Sequence, residues 1–183
     1  QKGIFLTMKI AIIDIETTGF SQFSDYIIEI GIVELCLETG EKKVLYDKIV
    51  KEDGYNDRHK KSWIFSNSDL THEKVLASDP FNIQEIQEIL SYYKVTAFNK
   101  KFDFRFLKHR GLDFEELDCP MEVSTNICKL PGRYGYKWPS LTEAYKIIVG
   151  EKEYSEKHRG CDDALDAADI VYNLYTLGYY KVN

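Results

Sequence analysis

Ile10, Ala11, Ile12 and Ile13 run without interruption into Asp14, and after Ile15 the apolar pattern stops at Glu16 and a Thr17-Thr18-Gly19 turn. A β-branched run of this kind predicts a strand buried on both faces. Residues 26–38 predict a second, long strand, whose acids at intervals imply partial exposure or bends. Glu29 within it is expected to be solvated or paired, with a place beside the first strand as the alternative. Thr39-Gly40-Glu41 is a hairpin turn and residues 42–50 a third strand, so an antiparallel meander with the first strand inside the sheet is expected.

Residues 51–67 are polar and irregular, with Arg58-His59-Lys60-Lys61 close to Trp63 and Phe65. That cluster reads either as a single-strand contact by charge and stacking or as a solvated loop with Trp63 in the core. Helical spacing appears at Ile83, Ile86, Ile89 and Leu90. A short buried strand follows over 95–98, then a helix over 101–110 that Gly111 should end, and a short element over 122–130. Residues 131–139, P-G-R-Y-G-Y-K-W-P, form a loop by their Gly and Pro content. Ser140 and Glu143 make a capping box for a helix ended at Gly150. The last helix runs from Asp162 to about Leu177, with Ala164, Ala167, Ala168, Val171 and Leu174 on one face. Strands first, then helices alternating with single short strands, predict an α/β fold with a mixed sheet.

At 183 residues, 44% hydrophobic and 30% charged, the chain is expected to be one domain over residues 8–180, with 1–7 as an N-terminal extension before Met8. No apolar run reaches membrane-span length, so no membrane partner is expected. Cys36, Cys119, Cys128 and Cys161 are scattered, which fits free thiols of a cytoplasmic protein rather than a disulfide frame or a zinc site. The formal charge of −6 weighs against a nucleic-acid partner, but two divalent ions on carboxylates would add four positive charges and bring it to −2.

Strand alternation sends Asp14 and Glu16 to one face, about 7 Å apart. Two carboxylates so placed repel unless a cation lies between them, and hard ions such as Mg²⁺ or Mn²⁺ suit them. Asp103, in A-F-N-K-K-F-D-F-R-F-L, and Asp162, Asp163 and Asp166, in H-R-G-C-D-D-A-L-D, all sit in first turns of helices, where the helix dipole alone favours acids. Their order gives them weight. An acid pair on a strand, an acid after a later strand and H-x-x-x-x-D near the C-terminus together resemble the DEDD superfamily of 3′→5′ exonucleases, in its histidine subclass. The likeness is to the epsilon exonuclease subunit of bacterial DNA polymerase III and its stand-alone relatives, from about Met8 to Leu177. The matching residues are Asp14, Glu16, Asp103, His158 and Asp163, with weaker support from S-D-L-T-H-E-K-V-L-A-S-D-P-F and K-W-P-S-L-T-E-A-Y. Gly160 and Cys161 stand where the family more often has Ala-Leu, and Asp69-Leu70-Thr71 where it has a small, glycine-containing turn.

The resemblance implies a ribonuclease H-like fold, a mixed five-stranded sheet flanked by helices. It implies hydrolysis of the terminal phosphodiester by water with two metal ions, releasing nucleoside monophosphates from single-stranded or frayed 3′ ends, DNA favoured over RNA. Asp14 would bridge both ions, Glu16 and Asp163 would support one and Asp103 the other, while His158 takes the proton from the attacking water. Thr17, Thr18 and Gly19 would touch the terminal nucleotide, and Asn99 and Phe102 would line the same pocket. Lys100, Lys101, Arg105, Lys137 and Arg159 are candidates to guide the phosphate backbone. With the last helix expected to end at about Leu177, the resemblance leads one to expect no tail of the kind by which replicative relatives reach a polymerase, with a polymerase partner still possible. A catalytically silent binding module should have lost one of the five positions, and all five are present.

Overall fold

The structure is a computed structural model that describes residues 8–182, so the proposed extension 1–7 lies outside the described residues. The elements in order are β1 (Lys9–Thr17), β2 (Ile27–Cys36), β3 (Lys42–Lys51), α1 (Ile64–Asn67), α2 (His72–Leu76), β4 (Asp79–Pro80), α3 (Ile83–Leu90) and β5 (Lys94–Thr96). After them come α4 (Lys100–His109), β6 (Glu115–Glu116), α5 (Pro120–Cys128), β7 (Pro131–Gly132), β8 (Gly135–Tyr136), α6 (Leu141–Ala144) and α7 (Gly160–Thr176). The main sheet has the order β4-β3-β2-β1-β5-β6, antiparallel through β3-β2-β1 and parallel from β1 outward through β5 and β6.

The mixed ribonuclease H-like sheet is as expected, but it has six strands rather than five. The edge strands β4 and β6 are two residues each, too short to carry an alternating pattern, and pairing with a neighbour alone defines them. The expectation of a partly exposed second strand is also corrected: every residue of β2 is buried. Glu34 is held there by Lys9 at 2.8 Å and by the Tyr93 hydroxyl at 2.6 Å, and Glu29 by Arg159. An apolar environment tolerates such acids only when they are paired.

Alternation on β1 divides the interior. Ile10 and Ile12 join the core under α5, α6 and α7, whereas Ala11, Ile13 and Ile15 join the core under α3 and α4. Asp14 and Glu16 therefore continue the Ile10–Ile12 face, toward α7. That helix lies close on the sheet because Gly31 of β2 leaves room: a Cβ there would come within 2.3 Å of Cys161 N. Gly160 meets the same spot, with Gly31 N 2.9 Å from where its Cβ would be. Ser140 and Glu143 form the expected capping box, and α6 continues as a π turn over Tyr145–Val149 to Gly150, whose φ is +91°.

Candidate active site

Four separate elements deliver acids to one cavity of about 480 Å³ at the end of β1. Asp14 and Glu16 come from β1, Asp103 from the first turn of α4, Asp163 from the first turn of α7, and Glu156 and His158 from the loop before it. A register shift in the β1–β2 ladder between Glu16 and Thr17 releases the chain into the Thr17–Gly19 turn. Bulges next to active sites commonly re-aim side chains in this way.

Asp103 is fastened to the first pair directly: its Oδ1 accepts from Ile15 N, between Asp14 and Glu16, at 3.1 Å. Burial pushes Asp103 up to about 7 despite that hydrogen bond. Burial, then the nearby Glu156 and Asp166, push Asp163 up to about 8. Asp14 and Glu16 are held well above the carboxylate range, first by burial and then by their acidic neighbours. Asp163 Oδ1 is buried without a hydrogen-bond partner among the described residues. Four mutually repelling carboxylates and an orphaned buried oxygen fit a hard divalent cation. Donor atoms of Glu16, His158 and Asp163 lie within 4.8 Å of one another, and Asp14 and Asp103 stand in the same cavity outside that trio.

His158 has φ +54°, a left-handed conformation uncommon outside glycine. Its Nδ1 is 3.3 Å from Glu156 Oε1, and its ring meets Trp63 edge-on with centroids 5.0 Å apart. Trp63 is 59% exposed, so the reading that buried it in the core is wrong. Of these two neighbours only Glu156 escaped the sequence reading: it sits in an irregular loop, and the one signal was its E-x-H spacing. Thr17, Thr18, Gly19, Asn99 and Phe102 all line the cavity, as do Phe20, Phe98, Met121 and Leu141. The Thr17 hydroxyl donates to Gly19 O at 2.7 Å and the Thr18 amide to Tyr26 O at 2.9 Å. The Thr18 amide is thus used within the turn rather than offered to a ligand.

Arg159 is removed from the backbone-guiding set. Its guanidinium donates to Glu29 at 2.6 and 2.9 Å and to Asp69 at 2.6 Å. The same Glu29 accepts from Gly160 N at 2.8 Å and so caps α7. Glu29 lies opposite Glu16 in the β1–β2 register, and Arg159 offsets a like-charge pair there. Arg105 donates to Phe20 O at the cavity wall, whereas Lys100 donates to Leu117 O and Lys137 to Glu143, neither of which lines the cavity.

The sequence model of the Exonuclease (RNase_T) family matches residues 11–171. The chain belongs to the exonuclease family. This agrees with the DEDD likeness of its motifs, and the matched stretch spans every acid of the cavity. A DNA polymerase III of PolC type from Latilactobacillus sakei subsp. sakei (strain 23K) is 25% identical over 174 residues, covering 89% of this chain and 11% of that protein. The exonuclease chain thus spans about a tenth of that relative. Among solved structures, the nuclease domain of 3′hExo, a DEDDh family member bound to rAMP, superposes with TM-score 0.66 at 18% identity, covering 98% of each chain. A 3′-exonuclease that recognises the histone mRNA stem-loop gives 0.70 at 20% identity, covering 97% of this chain and 86% of that one. E. coli Exonuclease I with a dT13 oligonucleotide gives 0.65 at 14%, covering 92% and 41%. At these identities the structures speak for the exonuclease fold alone. No helix among the described residues is long and apolar enough to cross a membrane.

Proposed function

We propose that this protein is a divalent-metal-dependent 3′→5′ exonuclease that removes nucleoside monophosphates from single-stranded or frayed DNA ends. The observation that carries the reading is the convergence of Asp14, Glu16, Asp103 and Asp163, with His158, on one cavity. Asp14, Glu16, Asp103 and Asp163 would hold two Mg²⁺ or Mn²⁺ ions. Bound there, the ions would supply Lewis acidity to lower the pKa of the attacking water and to offset charge on the leaving 3′ oxygen. Asp14 is the one expected to serve both ions.

His158 takes the proton of the attacking water. Glu156 engages its Nδ1 and leaves Nε2 as the nitrogen free to accept that proton. Thr17, Thr18 and Gly19 carry the terminal nucleotide against Asn99 and Phe102, and the apolar walls of Phe98, Met121 and Leu141 keep bulk water away. DNA is favoured because the PolC-type relative is a DNA polymerase and Exonuclease I was solved with a DNA strand. The second reading is an exoribonuclease, favoured by the neighbours solved with rAMP and with an mRNA stem-loop. The PolC relative also supports a polymerase as partner, and the free cysteines support a cytoplasmic setting.

Digestion of 5′-labelled single-stranded DNA and RNA, side by side with Mg²⁺, Mn²⁺ or EDTA, tests the proposal. A ladder shortening from the 3′ end, faster on DNA and absent in EDTA, is expected. Undiminished hydrolysis by metal-stripped protein, or cuts in a closed circular strand, would overturn it.

A further inference from the structure

The stretch 129–138, between α5 and α6, departs from the rest of this acidic chain. It holds Lys129, Arg133 and Lys137 and no acid, whereas the whole chain carries −6. It also holds Tyr134, Tyr136 and Trp138, which are 89%, 53% and 59% exposed. Its backbone is a small hairpin: β7 pairs with β8 through Pro131–Tyr136 and Gly132–Gly135, and Arg133 and Tyr134 form the turn. Lys137 N closes its base on Leu130 O at 3.0 Å. The Arg133 guanidinium lies 5.1 Å from the Tyr134 ring centroid, so cation and aromatic form one unit at the tip.

Aromatic surface of this kind contributes little to the fold. A two-stranded hairpin is marginal by itself, and these rings add no core packing in return for their exposure. The hairpin springs directly from the wall of the active cavity. Met121 of α5 lines the cavity before it, and Pro139, Ser140 and Leu141 line it immediately after Trp138. A strand whose 3′ end sits among four carboxylates has to leave the cavity over one of its walls, and the hairpin is continuous with the wall of Pro139, Ser140 and Leu141. Cations interleaved with exposed rings are what an unpaired strand needs there: charge for the phosphates, and π-faces for bases with no complementary strand to stack in.

We propose that the 129–138 hairpin is a contact surface for single-stranded DNA, gripping nucleotides on the 5′ side of the one being removed. Arg133 neutralises a backbone phosphate, Tyr134 and Tyr136 stack on bases, and Trp138 continues the platform toward the cavity. The inference rests on the exonuclease reading for the placement of the 3′ end, yet strand binding can be measured without cleavage.

The test is fluorescence anisotropy of 5′-labelled dT20, and of a labelled dinucleotide, with the full chain in Ca²⁺. It compares wild type with Arg133→Ala/Tyr134→Ala at the tip and with Trp138→Ala. The tip change should weaken dT20 binding about ten-fold or more. It should also flatten the slope of log affinity against log salt by about 0.7, the share of one cation on a single strand. The dinucleotide, too short to span both sites, should lose less. Unchanged dT20 affinity and salt slope in both variants, or equal losses for dT20 and dinucleotide, would overturn the proposal. Hairpin-dependent binding of dT20 by a wild-type protein that cleaves nothing in Mg²⁺ would instead sink the exonuclease reading and leave the hairpin contact standing.

Discussion

Replacing Arg159 with alanine isolates the ion pair that holds α7 against the sheet. Glu29 is fully buried near the start of β2, and its carboxylate is satisfied by Arg159 Nε and Nη2 and by Gly160 N. Removing one partner of a buried pair strands a charge in low dielectric, which costs about 3–5 kcal/mol. The second partner of Arg159, Asp69, has a side chain 71% exposed, and that pair contributes at most about 1 kcal/mol. Against a typical domain stability of about 5–15 kcal/mol, Arg159→Ala should consume a large part of the total. Asp69→Ala should be nearly silent. Glu29→Gln added to Arg159→Ala should recover part of the loss, since a neutral amide oxygen can still accept from Gly160 N. Urea unfolding followed by circular dichroism, with a common m-value, reads all four proteins. A phosphate-guiding arginine would lose activity at full stability, so Arg159→Ala within about 1 kcal/mol of wild type would refute the structural assignment.

Asp103 and Asp163, raised to about 7 and about 8, keep protons in the folded chain that the unfolded chain has released above about pH 4. The metal-stripped protein should therefore lose stability as pH rises from 5.5 to 8, and a denaturation midpoint that is flat or rising over that range contradicts the assignment. Mg²⁺ or Mn²⁺ should raise the melting temperature of wild type at pH 8, and Asp14→Ala should remove both that rise and nearly all hydrolysis; a full metal shift in the variant counts against Asp14 as a ligand. His158→Ala should slow single-turnover cleavage by about 10²–10⁴-fold while metal binding persists, and a near-wild-type rate would return His158 to the status of a loop residue. Gly31→Ala must drive backbone against the start of α7, so it should destabilise by several kcal/mol and displace Asp163; thermal unfolding close to wild type would show that the helix has room to move.

The chemistry of β1 was legible from the chain because strand alternation is local: the run Ile10–Ile15 implies both burial and a shared face for Asp14 and Glu16. Capping and stop signals placed the start of α6, the end of its π continuation and the end of α4 for the same reason, since Gly150 and Gly111 do have positive φ. Asp103, His158 and Asp163 were readable only as an ordered set of motifs; each alone is indistinguishable from an ordinary first-turn acid or loop histidine. What the chain could not disclose depends on partners far apart in sequence. Glu29 was expected to be solvated or paired, but the choice between them and the identity of its partner were hidden because the arginine lies 130 residues away, and Arg159 looked free for the same reason. The two edge strands exist only as pairings, and Glu156 and Trp63 join the site only because their loops fold over His158. The raised carboxylate pKa values belong wholly to the tertiary structure, because separate segments must fold together before these acids are buried and near enough to repel.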